Sequence, residues 1–284
     1  MSELIDGLIA EIAFRLDAGS AIPYLGSGML SLCADVRVPA TPAELAAVMT
    51  AKVSVPHKIR NRLTQAAQFI ENFKHRKSVV MIMDEAYASV PAPSPLHRAL
   101  AASGATLWVD TWYDDTFLAA LRAARPQGDW HQLQGLSQSE HFGQWTADYG
   151  ADGRIAETPA TSATPLLYRP LGGRSPASNY LVSDSDYVEV LTEIDIQTPI
   201  PAVVQERRKG KGFLFLGCRF DDQLTRSFAR QIMKRSSTTH WAVLPHEPTR
   251  MEARFLEEQG IVRVPMALAD FAARLTHALQ AETA

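Results

Sequence analysis

A short apolar run that ends in two glycines is the part of this sequence that most directly suggests chemistry. Residues 22–25 are Ile-Pro-Tyr-Leu, and Gly26, Ser27 and Gly28 follow at once. Glycine has no Cβ, so a turn built from glycines can adopt positive φ and let a ligand approach its backbone N–H groups. The pattern is typical of a buried strand that leads into a phosphate-binding turn, and a plain tight turn is the alternative.

Three further apolar runs end in segments that are rich in glycine or aspartate. These segments are Asp-Thr-Trp-Tyr-Asp-Asp at 110–115, Pro-Leu-Gly-Gly at 170–173 and Gly-Cys-Arg-Phe-Asp-Asp at 217–222. In open α/β sheets, ligands bind at the carboxyl ends of the strands. The four segments therefore predict one site, and together they indicate it better than any one of them alone.

Helix and strand patterns alternate along the chain and must position these segments. The apolar spacing predicts helices at 3–18, 41–52, much of 57–89, 96–102, 115–123, 184–193, 224–233, 248–258 and 267–280. It predicts strands at 21–25, 106–110, 131–135, 143–148, 165–169, 212–217, 240–244 and 261–264, with residues 149–165 as a surface excursion. This alternation predicts an α/β fold with a doubly wound, mostly parallel, Rossmann-like sheet.

The domain organisation follows from the same alternation. A chain of 284 residues can bury a full core, and we expect residues 1–284 to form a single domain. The helices predicted within residues 41–103 fall between the first two strands. We interpret them as a small helical module inserted beside the sheet.

Composition excludes several classes of protein. The net charge of −3 argues against a general nucleic-acid binder, and two cysteines cannot supply a four-thiolate zinc site. The first residues have acidic side chains where a signal peptide would carry basic ones, and no apolar run reaches the length of a membrane span. We expect a cytoplasmic protein with no metal and no membrane contact.

The order of the motifs resembles the sirtuin-like family of bacterial proteins, which are zinc-free relatives of NAD-dependent deacylases and NAD hydrolases. Residues 109–115 resemble the Thr-Asn-Tyr-Asp-Asp strand end of that family, and residues 167–172 resemble its Tyr-Lys-Leu-His-Gly segment. Residues 183–191 resemble the acidic helix with a tyrosine that follows, and 213–222 resemble the late Gly-x-Ser-x-x-Asp element. The resemblance implies NAD or ADP-ribose as ligand. The implied contacts are Gly26, Ser27, Gly28, Thr111, Asp114, Gly217 and Asp222.

The chain departs from the family at the two positions that carry the chemistry. The family asparagine that positions the nicotinamide ribose and the water is Trp112 here, and the family histidine that acts as general base is Leu171. An indole offers one donor and leucine offers none, so neither can do that work. The family serine after the glycines is also displaced, because Leu30 stands there and Ser31 follows one residue later. The resemblance therefore implies a degenerate site, in which Asp110 or Asp114 could act as substitutes.

Each prominent residue also has a plainer interpretation. Trp112 fills the core or forms a stacking platform, and we expect the former. The aspartates at 114–115 and 221–222 cap helices or contact a ribose. The basic residues at 207–211 form a solvated turn or contact a phosphate, and the basic side chains at 57–60 and 74–77 form a solvent-facing helical surface. His131 or His141 is a further substitute for the missing base.

Three functional hypotheses follow. In the first, the chain is a sirtuin-like protein without catalysis, which binds a nucleotide or regulates a protein partner or a second copy of itself. In the second, it is an active NAD hydrolase or deacylase in which Asp110 or Asp114 stabilises the cation-like ribosyl group. In the third, Trp112 plugs the pocket and the chain is an interaction scaffold that binds no nucleotide.

Overall fold

The computed structural model describes residues 2–193 and 199–282, and its centre is an eight-stranded sheet. The strands of this sheet are β1 (Ala21–Leu25), β2 (Leu107–Asp110), β3 (His131–Gly135), β4 (Thr146–Gly150), β5 (Leu166–Arg169), β8 (Gly212–Leu216), β9 (His240–Val243) and β10 (Ile261–Val264). Two short strands, β6 (Gly172–Gly173) and β7 (Asn179–Tyr180), form a separate antiparallel pair. The order in the large sheet is β10-β9-β8-β1-β2-β5-β3-β4. Only the β3–β4 pairing in this sheet, among the described residues, is antiparallel.

Helices cover both faces of the sheet. They are α1 (Ser2–Asp17), α2 (Pro42–Lys52), α3 (Leu63–Lys74), α4 (Arg76–Ala86), α5 (Pro95–Ala102), α6 (Thr116–Ala124), α7 (Asp184–Glu193), α8 (Ala202–Arg207), α9 (Gln223–Met233), α10 (Arg250–Glu258) and α11 (Leu268–Glu282). Short 3-10 helices run from Ser27 to Leu32 and from His57 to Ile59. Within residues 2–193 and 199–282, none of these helices is long and apolar enough to cross a membrane.

The two-residue period of the strands divides the core into two layers. In β1, Ile22 and Tyr24 face one layer, whereas Ala21 and Leu25 face the other. The first layer contains buried residues of α2, α3, α4 and α9, and the second contains buried residues of α1, α5, α6 and α11. Because both faces of the central strands are buried, their sequences are nearly continuous apolar runs.

The predicted fold class is confirmed, with local differences. The strand predicted at 143–148 lies at 146–150, so it takes two residues from the segment predicted as a surface excursion. The helical region predicted over 57–89 is divided by His75, whose φ of 67° cannot continue a helix. The strand at 131–135 and the helix at 184–193 have the bounds that the sequence predicts.

The helices of residues 41–103 do not share one layer. Helices α2, α3 and α4 pack against one another and contribute to the first layer, whereas α5 packs with α6 and α11 in the second. The single domain over 1–284 and the inserted module over 41–103 stay predictions.

Two predictions of solvent-facing basic residues are wrong. Arg76 is buried and pairs with Asp186 at 2.9 Å, Glu140 at 3.2 Å and Glu71 at 3.4 Å. Arg207 and Arg208 are buried as well, and their guanidinium groups donate to backbone carbonyls. These arginines form structural contacts because a buried cation requires acceptors from the chain itself. Of the other predicted basic side chains, His57, Lys58, Arg60, Lys74, His75 and Lys77 are exposed.

Candidate functional site

The glycine turn after β1 lies against the turn after β8, where the two halves of the sheet meet. The backbone N–H of Gly26 donates to the carbonyl of Leu216 at 2.9 Å, and that of Gly28 donates to the carbonyl of Gly217 at 2.9 Å. This is the topological switch point, where an open α/β sheet usually holds its ligand. Here the two turns bind each other across it.

The close approach of these turns explains their glycines. A Cβ on Gly26 would lie 2.6 Å from the carbonyl oxygen of Gly217, and a Cβ on Gly28 would lie 2.8 Å from it. Gly217 itself has a φ of 64°, and its Cβ would lie 2.4 Å from the backbone nitrogen of Met29. The glycines thus allow contact between two parts of the chain. Ser27, which belongs to the segment predicted to bind phosphate, is half-buried at the start of the 3-10 helix.

The turn after β2 also forms its hydrogen bonds with other parts of the chain. The hydroxyl of Thr111 donates to the carbonyl of Leu25 at 2.8 Å, and its backbone N–H donates to the same oxygen at 2.9 Å. Trp112 is 6% exposed, and its indole N–H donates to the carbonyl of Pro39 at 2.9 Å. The interpretation of Trp112 as a core-filling aromatic is confirmed, because its indole N–H is hydrogen-bonded and its ring is buried in the first core layer.

Arg169 fills the space between the ends of β2 and β5. Its side chain is 0% exposed; its Nη1 lies 2.7 Å from Oδ1 of Asp115, and its Nε lies 3.5 Å from Oδ2 of Asp110. Its guanidinium also donates to the backbone carbonyls of Asp114 and Ser175. A Cβ on Gly173 would lie 2.4 Å from the guanidinium carbon, so this glycine makes room for the arginine.

The aspartates near the starts of α6 and α9 differ in their contacts, since some bind backbone N–H groups and others pair with arginines. Asp222 is the N-cap of α9, where its Oδ1 accepts from the N–H of Leu224 at 2.7 Å. Oδ1 of Asp114 accepts from the N–H of Thr116 at 2.9 Å. The capping interpretation is therefore confirmed for Asp222, whereas Asp114 lies one residue before the N-cap position of α6 and binds the N–H of its first residue. For Asp115 it is wrong, since its carboxylate makes no capping hydrogen bond and binds Arg169. Asp221 lies 3.5 Å from Arg219 at the surface.

A small enclosed cavity lies between the ends of β1 and β2. Its volume is about 10 Å³, and its lining includes Gly26, Met29, His97, Asp110, Asp114 and Phe117. A cavity of this size holds about one water molecule.

Three ionisable groups around this cavity have shifted pKa values. Burial raises the pKa of Asp110 to about 7, although Arg169 acts in the opposite direction. Burial also raises the pKa of Asp114. The pKa of His97 is lowered to about 4 by burial and by Arg98, so this imidazole is neutral at pH 7. The lining of the cavity therefore includes two buried carboxyl groups with raised pKa values and a neutral histidine.

His131 and His141, the proposed substitutes for the missing general base, form hydrogen bonds with side chains that do not line this cavity. His131 pairs with Asp148 across the β3–β4 ladder at 2.8 Å. Nε2 of His141 lies 3.1 Å from Oδ1 of Asn179. Leu171, which the resemblance places at the histidine position, is buried in the first core layer. The described residues contain no group of three or more His, Cys, Asp or Glu side chains that could hold a metal ion.

With this geometry established, the chain can be compared with known proteins. The family model of the SIR2-like domain matches residues 106–263, which is more than half of the 284 residues. The chain belongs to the SIR2-like family. A search of curated proteins gave no match. Membership connects this SIR2-like chain with a nucleotide-related function, and the resemblance inferred from the motifs is confirmed.

The strand ends of this SIR2-like chain do not fit a bound dinucleotide in their present arrangement. The backbone N–H groups of Gly26 and Gly28 are already bonded within the chain, and the adjoining cavity has room for about one water molecule. NAD or ADP-ribose would require the two turns to separate. The matched segment also begins after the first glycine turn, so the family match itself carries no information on Gly26–Gly28.

Two residues of the site escaped the sequence reasoning. The sequence predicts no role for Arg169, although an arginine that closes the apolar run Leu166–Tyr168 must find polar partners when it is buried. The sequence predicts no role for His97 either. No local signal in the sequence places it beside Asp110 and Asp114.

Proposed function

We propose that this SIR2-like chain has lost NAD-cleaving catalysis and works as a regulatory binding protein. The observation that carries this proposal is the buried Arg169, which lies between Asp110 and Asp115 and occupies the strand ends with the chain's own side chains. The family's asparagine and histidine positions are occupied by Trp112 and Leu171, which are buried and cannot act as a base. A protein partner or a second copy of the chain is then the expected target.

A nucleotide ligand of the NAD or ADP-ribose type is a second candidate. Family membership favours it, and so does the arrangement of Gly26, Asp110 and Asp114 around one cavity. Binding would separate the turns at Gly26–Gly28 and Gly217. In that case Thr111, Ser27 and Asp222 are the polar side chains that remain near the strand ends to contact a ribose or phosphate.

Incubation of the purified chain with NAD, ADP-ribose and NADH tests both proposals. Melting temperature and free nicotinamide are followed in parallel, with Asp114→Asn as the matched variant. A ligand at 100 times its Kd should stabilise the chain by about 2.7 kcal/mol, which is easily seen as a thermal shift. The regulatory proposal predicts no nicotinamide above the level of the variant.

The outcomes separate the alternatives. A thermal shift without nicotinamide release supports a nucleotide-binding regulator. No shift with any of the three ligands supports an interaction scaffold. Nicotinamide release that Asp114→Asn abolishes, while the variant melts as a folded protein, contradicts the loss of catalysis and supports an active enzyme that uses the substitute carboxylates.

A further inference from the structure

Positive charge is concentrated in one segment of this chain. Residues 45–83 contain seven Lys and Arg side chains but a single acidic residue, Glu71. The segment therefore has a net charge of +6, although the net charge of the whole chain is −3. The overall charge argues against a general nucleic-acid binder, but a concentrated patch of this kind can still hold a polyanion at one place on the surface.

Five of these seven cations are exposed to solvent. They are Lys58, Arg60, Arg62, Lys74 and Lys77. None of the five forms a salt bridge within residues 2–193 and 199–282, whereas Lys52 pairs with Glu85 at 2.7 Å and Arg76 is buried beside Glu71. The one acidic residue of the segment is therefore bound by a buried arginine, and the five exposed charges can pair with an anionic partner.

Helix α3 places two phenylalanines between the two groups of cations. Arg62 precedes its first residue, and Lys74 is its last. Phe69 and Phe73 follow Arg62 by seven and eleven positions, so the helical period sets the three on one side of the helix, over about 16 Å. The ring centroids of Phe69 and Phe73 are 4.4 Å apart, and Phe73 is 67% exposed. An exposed aromatic surface thus lies between Arg62 and Lys74.

An exposed ring between cations matches the chemistry of a single nucleic-acid strand. Proteins that bind such strands combine a basic surface for the phosphates with aromatic side chains on which the bases stack. An acidic polypeptide would pair with the lysines and arginines but would make no use of the exposed ring. In a double helix the bases are already stacked on one another, so the ring would again lack a partner. The combination therefore favours a single strand over both alternatives.

We propose that this side of α3 binds single-stranded nucleic acid, with phosphates on the cations and a base on Phe73. The surface, called the α3 surface below, consists of Lys58, Arg60, Arg62, Phe73, Lys74 and Lys77. It shares no residue with the lining of the strand-end cavity. The proposal therefore goes beyond the regulatory function proposed above and does not depend on it.

Fluorescence anisotropy of the full chain with labelled oligo-dT and oligo-U tests the proposal. Strands of about 15 nucleotides lie within the range of known single-strand sites. We expect the logarithm of the association constant to fall linearly with the logarithm of the salt concentration, with a slope of about −3.5 when all five cations contact phosphates. An abasic strand of equal length keeps the phosphates but has no bases, and it should bind at least about five-fold more weakly.

Stacking is tested at Phe73. Phe73→Ala should weaken the binding of oligo-dT by about five- to hundred-fold, because the base loses its aromatic partner. Phe142→Ala is the matched control, since Phe142 is 95% exposed and lies in a region without Lys or Arg, residues 126–153. This control should bind like the wild type. Thermal unfolding should show that both variants are folded, because both rings are exposed.

Charge is tested at the end of α3 and the start of α4. Lys74→Gln combined with Lys77→Gln removes two of the five cations and should change the salt slope to about −2. Arg154→Gln combined with Arg250→Gln removes two exposed cations elsewhere and should leave the slope unchanged.

The outcomes decide for or against the α3 surface. Binding of either strand that Phe73→Ala and the lysine variant weaken supports the proposal. Absence of binding to both strands, equal binding of the abasic strand, or unchanged binding in Phe73→Ala overturns it. Binding of poly-L-glutamate as tight as that of oligo-dT would also overturn it and would assign the surface to an acidic protein partner.

Discussion

Nη1 of Arg169 lies 2.7 Å from Oδ1 of Asp115, and the two side chains are 0% and 8% exposed. The same guanidinium lies 3.5 Å from Asp110, the last residue of β2, so one buried cation holds two carboxylates at this strand end. A buried charge is tolerated only when it is paired and hydrogen-bonded. This pair therefore fixes the strand ends of the sheet in a closed arrangement.

Removal of that cation should destabilise the fold strongly. Arg169→Met leaves Asp110 and Asp115 buried without their partner, and we expect a loss of about 3–5 kcal/mol in the free energy of unfolding. Urea denaturation measures it. The matched control is Arg154→Met, which removes an exposed arginine 3.7 Å from Asp152 and should cost at most about 1 kcal/mol. Equal losses in the two variants would contradict the structural role of Arg169.

The raised pKa of Asp110 predicts the direction in which the stability of the folded chain changes with pH. The pKa is about 7 in the folded chain and about 4 in the unfolded one, so the folded state holds the proton more tightly between these values. The contribution of Asp110 to stability is fully present below about pH 4 and is lost as the pH rises toward 7. The variant Asp110→Asn has an amide in place of the carboxyl group, so this side chain does not titrate between about pH 4 and about pH 7.

Urea denaturation of the wild type and Asp110→Asn over this range measures the effect. The free energy of unfolding of the wild type should fall relative to that of the variant as the pH rises from about 4 to about 7. Asp152→Asn, an exposed control, should follow the wild type. A difference that stays constant, or grows in the opposite direction, would show that burial does not govern this carboxyl.

Contact between the two glycine turns can be tested at Gly217. Gly217→Ala places a Cβ 2.4 Å from the backbone nitrogen of Met29 at a φ of 64°. Gly210→Ala has nearly the same φ, 69°, but no heavy atom within 4 Å of the added Cβ. The control should lose about 1–2 kcal/mol through the backbone conformation alone. Gly217→Ala should lose clearly more in thermal or urea unfolding, and an equal loss would exclude close packing of the turns.

Asparagine at position 112 and histidine at position 171 should not produce NAD cleavage if the proposed absence of catalysis is right. We expect Trp112→Asn combined with Leu171→His to release no nicotinamide from NAD, because the adjoining cavity of about 10 Å³ holds about one water molecule and Arg169 stays paired with Asp115 at the strand ends. The double variant should also be destabilised by about 3–5 kcal/mol, since it removes a buried indole. Chromatography of free nicotinamide and thermal unfolding measure the two effects. Release by a folded double variant would show that the two positions alone determine activity.

The same reasoning applies to the cation that joins α4 to the segment after β7. Arg76 pairs with Asp186, Glu140 and Glu71, and Arg76→Met should cost about 3–5 kcal/mol in urea unfolding. Lys77→Met alters the next residue, which is exposed, and should change stability by less than about 0.5 kcal/mol. A small effect of Arg76→Met would place this arginine at the surface, as its sequence context suggests.

The sequence predicts most of the secondary structure because the longer elements carry a local signal, whereas the short α8, β6 and β7 are not predicted. The apolar run at 212–216 and the Thr41-Pro42 start of α2 are examples, and the side chain of Thr41 does accept from the N–H of Glu44. The family is also readable from the order of the strand-end motifs, as the SIR2-like match over 106–263 confirms.

Whether a charged side chain is buried depends on residues far away in the chain, and for this property the sequence pattern gives wrong predictions. Arg76 and Arg207 stand in basic segments typical of solvated surface, yet both are buried by partners 110 and 101 residues away in the chain. Helix periodicity does not reveal such partners, since they belong to other elements. The burial of Asp115 against Arg169, 54 residues later, is a third example.

The sequence by itself determined the α/β alternation, the mostly parallel sheet and the resemblance to the SIR2-like family, because these depend on residue type and spacing. The tertiary structure decided what the strand ends do. Gly26 and Gly28 have the pattern of a ligand-binding turn, but their N–H groups donate to the carbonyls of Leu216 and Gly217, nearly two hundred residues later. A glycine permits close approach without specifying what approaches, so only the folded chain shows that the turn binds the chain itself.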